Sequence, residues 1–145
     1  MRFMMIVKAT KDSEAGKLPG DERIATMGKY NEELFRAGVL VDLNGLHSSA
    51  KGFRVRCTPA GERTVIDGPF PETKELIAGY WLWQVKSLEE AIEWVKRCPN
   101  TPEGESDIEI RQIAELEDFA SAFTPEEIQQ EKDFRARMAA NAAKK

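Results

Sequence analysis

The sequence predicts an α+β fold on the ferredoxin-like plan, βαββαβ, with a hairpin extension and a C-terminal helix. Amphipathic helical stretches alternate with short apolar runs of strand character, which sets the order of the elements. Capping sequences before two of the helices fix where those helices begin. A sheet of this kind carries its helices on one face and leaves the other bare.

Taken in order, residues 2 to 9, Arg-Phe-Met-Met-Ile-Val-Lys-Ala, make an opening strand. Thr10 to Gly20, with Gly16, Pro19 and Gly20, reads as a loop. From Asp21 the pattern turns helical: Ile24, Met27, Tyr30 and Leu34 recur at helical spacing with Phe35 alongside, and Gly38 ends the helix. Val39 to Leu46 returns to strand, with Val39, Val41 and Leu43 on one side. Phe53, Val55 and Cys57 alternate with Arg54 and Arg56, a half-buried strand with a basic outer face. Thr58-Pro59-Ala60-Gly61 turns the chain, and Thr64 to Ile66 completes the hairpin.

Ala78 to Lys86 is a further strand with Trp81 and Trp83 on one face. These indoles are expected to need cover, which a second copy of the chain supplies, giving a homodimer joined across sheet faces. Ser87-Leu88-Glu89-Glu90 is a capping-box sequence opening a helix that buries Leu88, Ala91, Ile92 and Val95 and ends near Cys98-Pro99. After a turn-rich segment, Asn100 to Ser106, a last strand runs from Ile108 to Ala114 with Glu109 and Arg111 opposite Ile108 and Ile110. Thr124-Pro125-Glu126-Glu127 starts a tail helix, with acids leading and Arg135, Arg137, Lys144 and Lys145 trailing, as the helix dipole favours. Residues 1–119 thus form the folded domain and 120–145 a helical extension expected to fray from Ala139.

Composition narrows the function classes. At 145 residues the chain is long enough to bury a core without disulfides or metals. A net charge of -4, with Lys and Arg dispersed among acids, argues against a nucleic-acid partner. No run approaches membrane-spanning length and Met1 to Lys8 lacks the apolar core of a signal peptide, so a cytoplasmic setting is expected. The single histidine, His47, excludes a zinc site of several imidazoles, and no metal is expected. No Gly-x-Gly-x-x-Gly follows a strand, and no cofactor is expected. Cys57 and Cys98 stand far apart and read as small hydrophobes.

The most specific run is Val65-Ile66-Asp67-Gly68-Pro69-Phe70-Pro71-Glu72-Thr73-Lys74-Glu75. Asp67-Gly68 is a turn pair, Pro69 pushes Gly68 towards extended geometry, and two prolines bracket Phe70. With Gly79-Tyr80-Trp81, Glu89 to Trp94 and Ile108-Glu109-Ile110-Arg111 in this order, the chain resembles the YCII-related family, and within it the branch with the Asp-Gly-Pro-Phe signature. The resemblance covers the opening strand to about Phe119. It implies a dimeric α+β-barrel fold and, in members proposed to be enzymes, a pocket with a His-Asp pair. One known activity in the wider family is dehydrochlorination of a chlorinated hydroxyquinol. Members of the signature branch also occur beside or fused to extracytoplasmic-function sigma factors.

Carried onto this chain, the acid is Asp67, and His47, in Gly45-Leu46-His47-Ser48, is paired with it as the catalytic histidine. An imidazole with its ordinary pKa of about 6.5 moves protons at neutral pH, and a carboxylate on its other nitrogen fixes the tautomer. Without an obvious nucleophile, proton transfer or elimination is favoured over acyl transfer, hence a cofactor-independent lyase or isomerase. Phe70, Trp81, Arg54 and Arg111 would hold a small oxygenated substrate. Each residue has a plainer reading: Asp67 as a turn former, His47 as an idle loop residue, Phe70 as a corner plug, Trp81 as dimer core, Arg54 as a solvated strand face, and Arg111 as the partner of Glu75 or Glu109. The same pocket without catalysis would make a ligand-binding or regulatory module.

Overall fold

The computed structural model describes residues 1–101 and 104–144, so the expected basic end at Lys145 and the middle of the Asn100–Ser106 turn segment fall outside the described residues. The elements run β1 Arg2–Lys8, α1 Lys11–Glu14, α2 Asp21–Arg36, β2 Leu40–Gly45, β3 Phe53–Cys57, β4 Arg63–Asp67, β5 Ile77–Gln84, α3 Leu88–Lys96, β6 Ile108–Gln112 and α4 Pro125–Ala142. Contacts divide the chain into two units, Met1–Ile113 and Ala114–Lys145. The second holds a 3-10 turn, Leu116–Phe119, and α4, whose Thr124 hydroxyl accepts from the Glu127 N–H at 3.2 Å while the Glu127 carboxylate accepts from the Thr124 N–H at 2.8 Å.

In the first unit β2, β5, β1 and β6 form one four-stranded sheet in that order. All its pairings are antiparallel. This is the ferredoxin-like arrangement: α2 carries the chain from β1 to β2 past β5, and α3 carries it from β5 to β6 past β1. Phe3, Met5, Trp81 and Trp83 point to one face and pack with Tyr30 and Leu34 of α2 and Ala91 of α3. Helix α2 ends as expected: Gly38 has φ of 72°, its N–H donates to the Phe35 carbonyl, and the Val39 N–H donates to the Leu34 carbonyl. That double return, closed by buried Val39 on buried Leu34, is the left-handed helix stop that favours glycine.

Trp81 and Trp83 are 7% and 0% exposed, and their rings lie 6.1 Å apart inside this core. The expectation that they await cover from a second copy is therefore corrected. Alternation says which residues of β5 share a face but not which face meets the helices, and both faces of β5 are rich in large side chains. The face turned away from α2 and α3 instead presents Met4 and Ile6 of β1 with Tyr80 and Leu82 of β5, all half-buried.

Three further expectations shift. The Thr10–Gly20 segment contains α1, capped by Thr10, whose hydroxyl accepts from the Ser13 N–H at 3.1 Å while the Thr10 N–H donates to Ser13 Oγ at 2.9 Å. In β2 the register slips between Leu40 and Asp42, so Leu43 pairs with Trp81 and the simple alternation of Val39, Val41 and Leu43 is broken. The hairpin β3–β4 is a separate two-stranded sheet rather than a half-buried one: Phe53, Val55 and Val65 are 68%, 58% and 63% exposed. No helix of the described residues is long and apolar enough to cross a membrane.

Candidate functional site

The Asp-Gly-Pro-Phe corner is built against the 3-10 turn Ser49–Lys51. Asp67 closes β4 opposite Phe53. The Gly68 N–H then donates to the Gly52 carbonyl at 2.9 Å. A Cβ on Gly68 would stand 2.7 Å from the Ser49 carbonyl carbon and closer still to its oxygen, so only glycine lets the two backbones meet. The Gly68–Pro69 peptide is cis. Beyond it, the Phe70 N–H donates to Ser49 Oγ at 3.0 Å. The Ser49 N–H donates to Glu14 Oε1 at 3.1 Å, and the Ser49 hydroxyl donates to the same carboxylate. Arg54 lays its guanidinium 3.8 Å from the centroid of the Phe70 ring and reaches the Glu72 carboxylate at 3.6 Å. Glycine, serine and aromatic ring all have architectural partners.

The side chains of Asp67 and His47 have no such partner among the described residues. Both side chains are exposed. Among the described residues no hydrogen bond or ion pair joins them. Trp81 lies in the core, its indole N–H donating to Asn31 Oδ1 at 2.9 Å. Arg111 stands on the opposite face of the sheet, paired in register with Met4, and its guanidinium meets Glu109 at 3.1 Å. Trp81 and Arg111 thus cannot wall one pocket within a single chain. Phe70 and Arg54 are together; the rest of the expected set is dispersed. A cleft of about 730 Å³ runs between α1 and the corner's continuation, Pro71 to Glu75, and contains neither His47 nor Asp67.

The sheet face turned away from α2 and α3 carries a second group of polar side chains. On one side the Tyr80 hydroxyl donates to Asp42 Oδ2 at 3.1 Å, and the Asn44 amide donates to the Tyr80 oxygen at 2.9 Å. On the other, Glu109 sits between Arg111 and Lys8, the latter at 3.1 Å. The hydrogen bond from Arg111, followed by that from Lys8, holds the Glu109 carboxyl below its ordinary value. Between the two groups run Met4, Ile6 and Leu82. The face is thus an apolar strip with a hydrogen-bonded polar group along each edge.

Comparison with known proteins decides the family, because a YCII-related domain model matches residues 1–117. The chain belongs to the YCII-related family. A curated relative, an uncharacterized protein of Rhizobium meliloti (strain 1021), is 40% identical over 55 residues, covering 38% of this chain. That match spans 44% of the relative's own length.

For this YCII-related chain, four participants could not be picked out from the sequence: Glu14, Asp42, Asn44 and Tyr80. Glu14 lies in what reads as a loop, thirty-five positions from the serine it grips, so no local pattern announces it. Asp42 and Asn44 alternate on β2 and Tyr80 sits on β5, and only the register of those strands unites them. The available signal is the polar pair Asp42 and Asn44, which alternates with Val41 and Leu43 and so marks one polar face of the strand.

Proposed function

We propose that this chain is a small-molecule-binding protein that works as a homodimer, with the ligand seated on the sheet face turned away from α2 and α3. The observation that carries this reading is the apolar strip Met4, Ile6 and Leu82 flanked by the Asp42–Tyr80–Asn44 group and the Lys8–Glu109–Arg111 group. The ligand class is a small oxygenated compound: its apolar body lies on the strip, a hydroxyl meets Asp42 and Tyr80, and an acidic oxygen meets Arg111. A second copy closing on the strip would exclude water from it. The hairpin supports the same assembly, because a two-stranded sheet is marginal alone and Phe53, Val55 and Val65 gain a surface to pack on. We also assign the chain to the Asp-Gly-Pro-Phe branch on the strength of Asp67 to Phe70.

A regulatory module, including one serving an extracytoplasmic-function sigma factor, would use such a site without turnover. The lyase or isomerase reading is favoured by one observation: His47 and Asp67 are both exposed and flank the contact between Ser49 and Gly68. In that reading His47 takes or gives the proton and Asp67 orients it.

A thermal-shift screen of small hydroxylated and carboxylated aromatic compounds tests the binding reading. Stabilising compounds are expected to lose most of their effect in Tyr80→Phe and Arg111→Ala. Undiminished shifts in both variants would overturn it. Turnover of a hit that disappears in His47→Ala supports the enzyme; binding without turnover supports the module.

A further inference from the structure

On the other side of the sheet, where α2, α3 and β6 converge, lies a cavity of about 660 Å³. Its size falls in the range of about 300–1,000 Å³ that small ligands occupy. Its apolar wall comes from Met27, Trp81, Val95 and Ile108. Arg23 stands at its edge, on the first turns of α2. The Arg23 Nη1 donates to the Pro99 carbonyl at 2.9 Å and also to the Asn100 carbonyl. These bonds fix the guanidinium plane while using one nitrogen, so the edge made by Nε and Nη2 keeps its donors. Among the described residues no carboxylate pairs with that edge. Lys96, paired with Glu93 at 2.7 Å, and Glu105 also line the cavity.

We propose that this cavity binds an apolar monocarboxylate, its chain or ring against Trp81 and its carboxylate forked on the Nε and Nη2 edge of Arg23. The two parts of the ligand answer the two parts of the site. An anchored guanidinium is preorganised for a bidentate carboxylate, and the apolar wall takes whatever follows it. Cys98 lines the same cavity, and burial pushes its thiol up, so it adds no negative charge against the ligand. The site uses neither the strip at Met4 and Leu82 nor the Asp-Gly-Pro-Phe corner.

The test uses the full chain with Cys57→Ser, leaving Cys98 as the one reactive thiol, and octanoate against octanamide as probes. Octanoate is expected to slow modification of Cys98 by an aromatic disulfide reagent and to change tryptophan fluorescence, both saturating at one ligand per chain. Arg23→Gln should weaken octanoate by about tenfold or more, the worth of a charge-assisted pair, and leave octanamide unchanged. Arg23→Lys keeps the charge without the fork and should bind octanoate more weakly than the parent, which guards against a folding defect in the first variant. Equal protection by octanoate and octanamide, or an octanoate affinity unmoved in Arg23→Lys, would overturn the proposal.

Discussion

Replacing Gly68 by alanine would drive a methyl group into the Ser49 backbone, and backbone has little room to yield. The expected cost is about 1–3 kcal/mol, read as a lower denaturant midpoint at unchanged slope. A Gly68→Ala protein as stable as the parent would mean that the close approach is not required. Tyr30 gives a pH prediction. Burial, and then the Cys98 thiol, raises its phenol well above the ordinary 10.0, and its hydroxyl donates to the Trp94 carbonyl at 2.8 Å. A raised folded value means that the neutral form is the one the fold prefers. The contribution to stability is complete below the unfolded value and falls as the pH climbs from there towards the folded one. Denaturant titrations above pH 10.0 should therefore show stability falling with pH in the parent and a flatter line in Tyr30→Phe. Identical slopes would show that Tyr30 does not set the alkaline loss of stability.

Between elements, the decisive link is Ser49, which joins α1 to the corner by accepting from the Phe70 N–H and donating to Glu14. Ser49→Ala strips a partner from each side. It should cost about 1–3 kcal/mol, the range for leaving half-buried polar groups unpaired. Glu14→Gln should cost less, because an amide oxygen still accepts from the Ser49 N–H. The reverse order would show that the charge on Glu14, rather than the serine bridge, holds the corner. Such a link also explains what could be read in advance. Caps at Ser87 and Thr124, and the stop at Gly38, depend on residues a few positions apart, and each lies where its sequence says. The Glu14–Ser49 bridge and the Asp42–Tyr80 bond join distant segments and depend on register and loop closure. A slip in β2 at Val41 is likewise invisible to a pattern of alternation. The Asp-Gly-Pro-Phe run carries the resemblance to the family, yet its backbone serves the corner, and among the described residues no side chain engages the carboxylate of Asp67.

For the whole molecule, the burial of Trp81 and Trp83 under the helices leaves Met4, Ile6 and Leu82, on the other face of the sheet, as the strip on which the proposed dimer would form. In the proposed dimer two copies meet across Met4, Ile6 and Leu82 and close the proposed ligand site between them. Light scattering on the parent and on Leu82→Glu, with circular dichroism to confirm that both are folded, reads this assembly as a mass. The expected result is the mass of a dimer for the parent and of a monomer for folded Leu82→Glu. A monomeric parent, or a folded Leu82→Glu that remains dimeric, would contradict it.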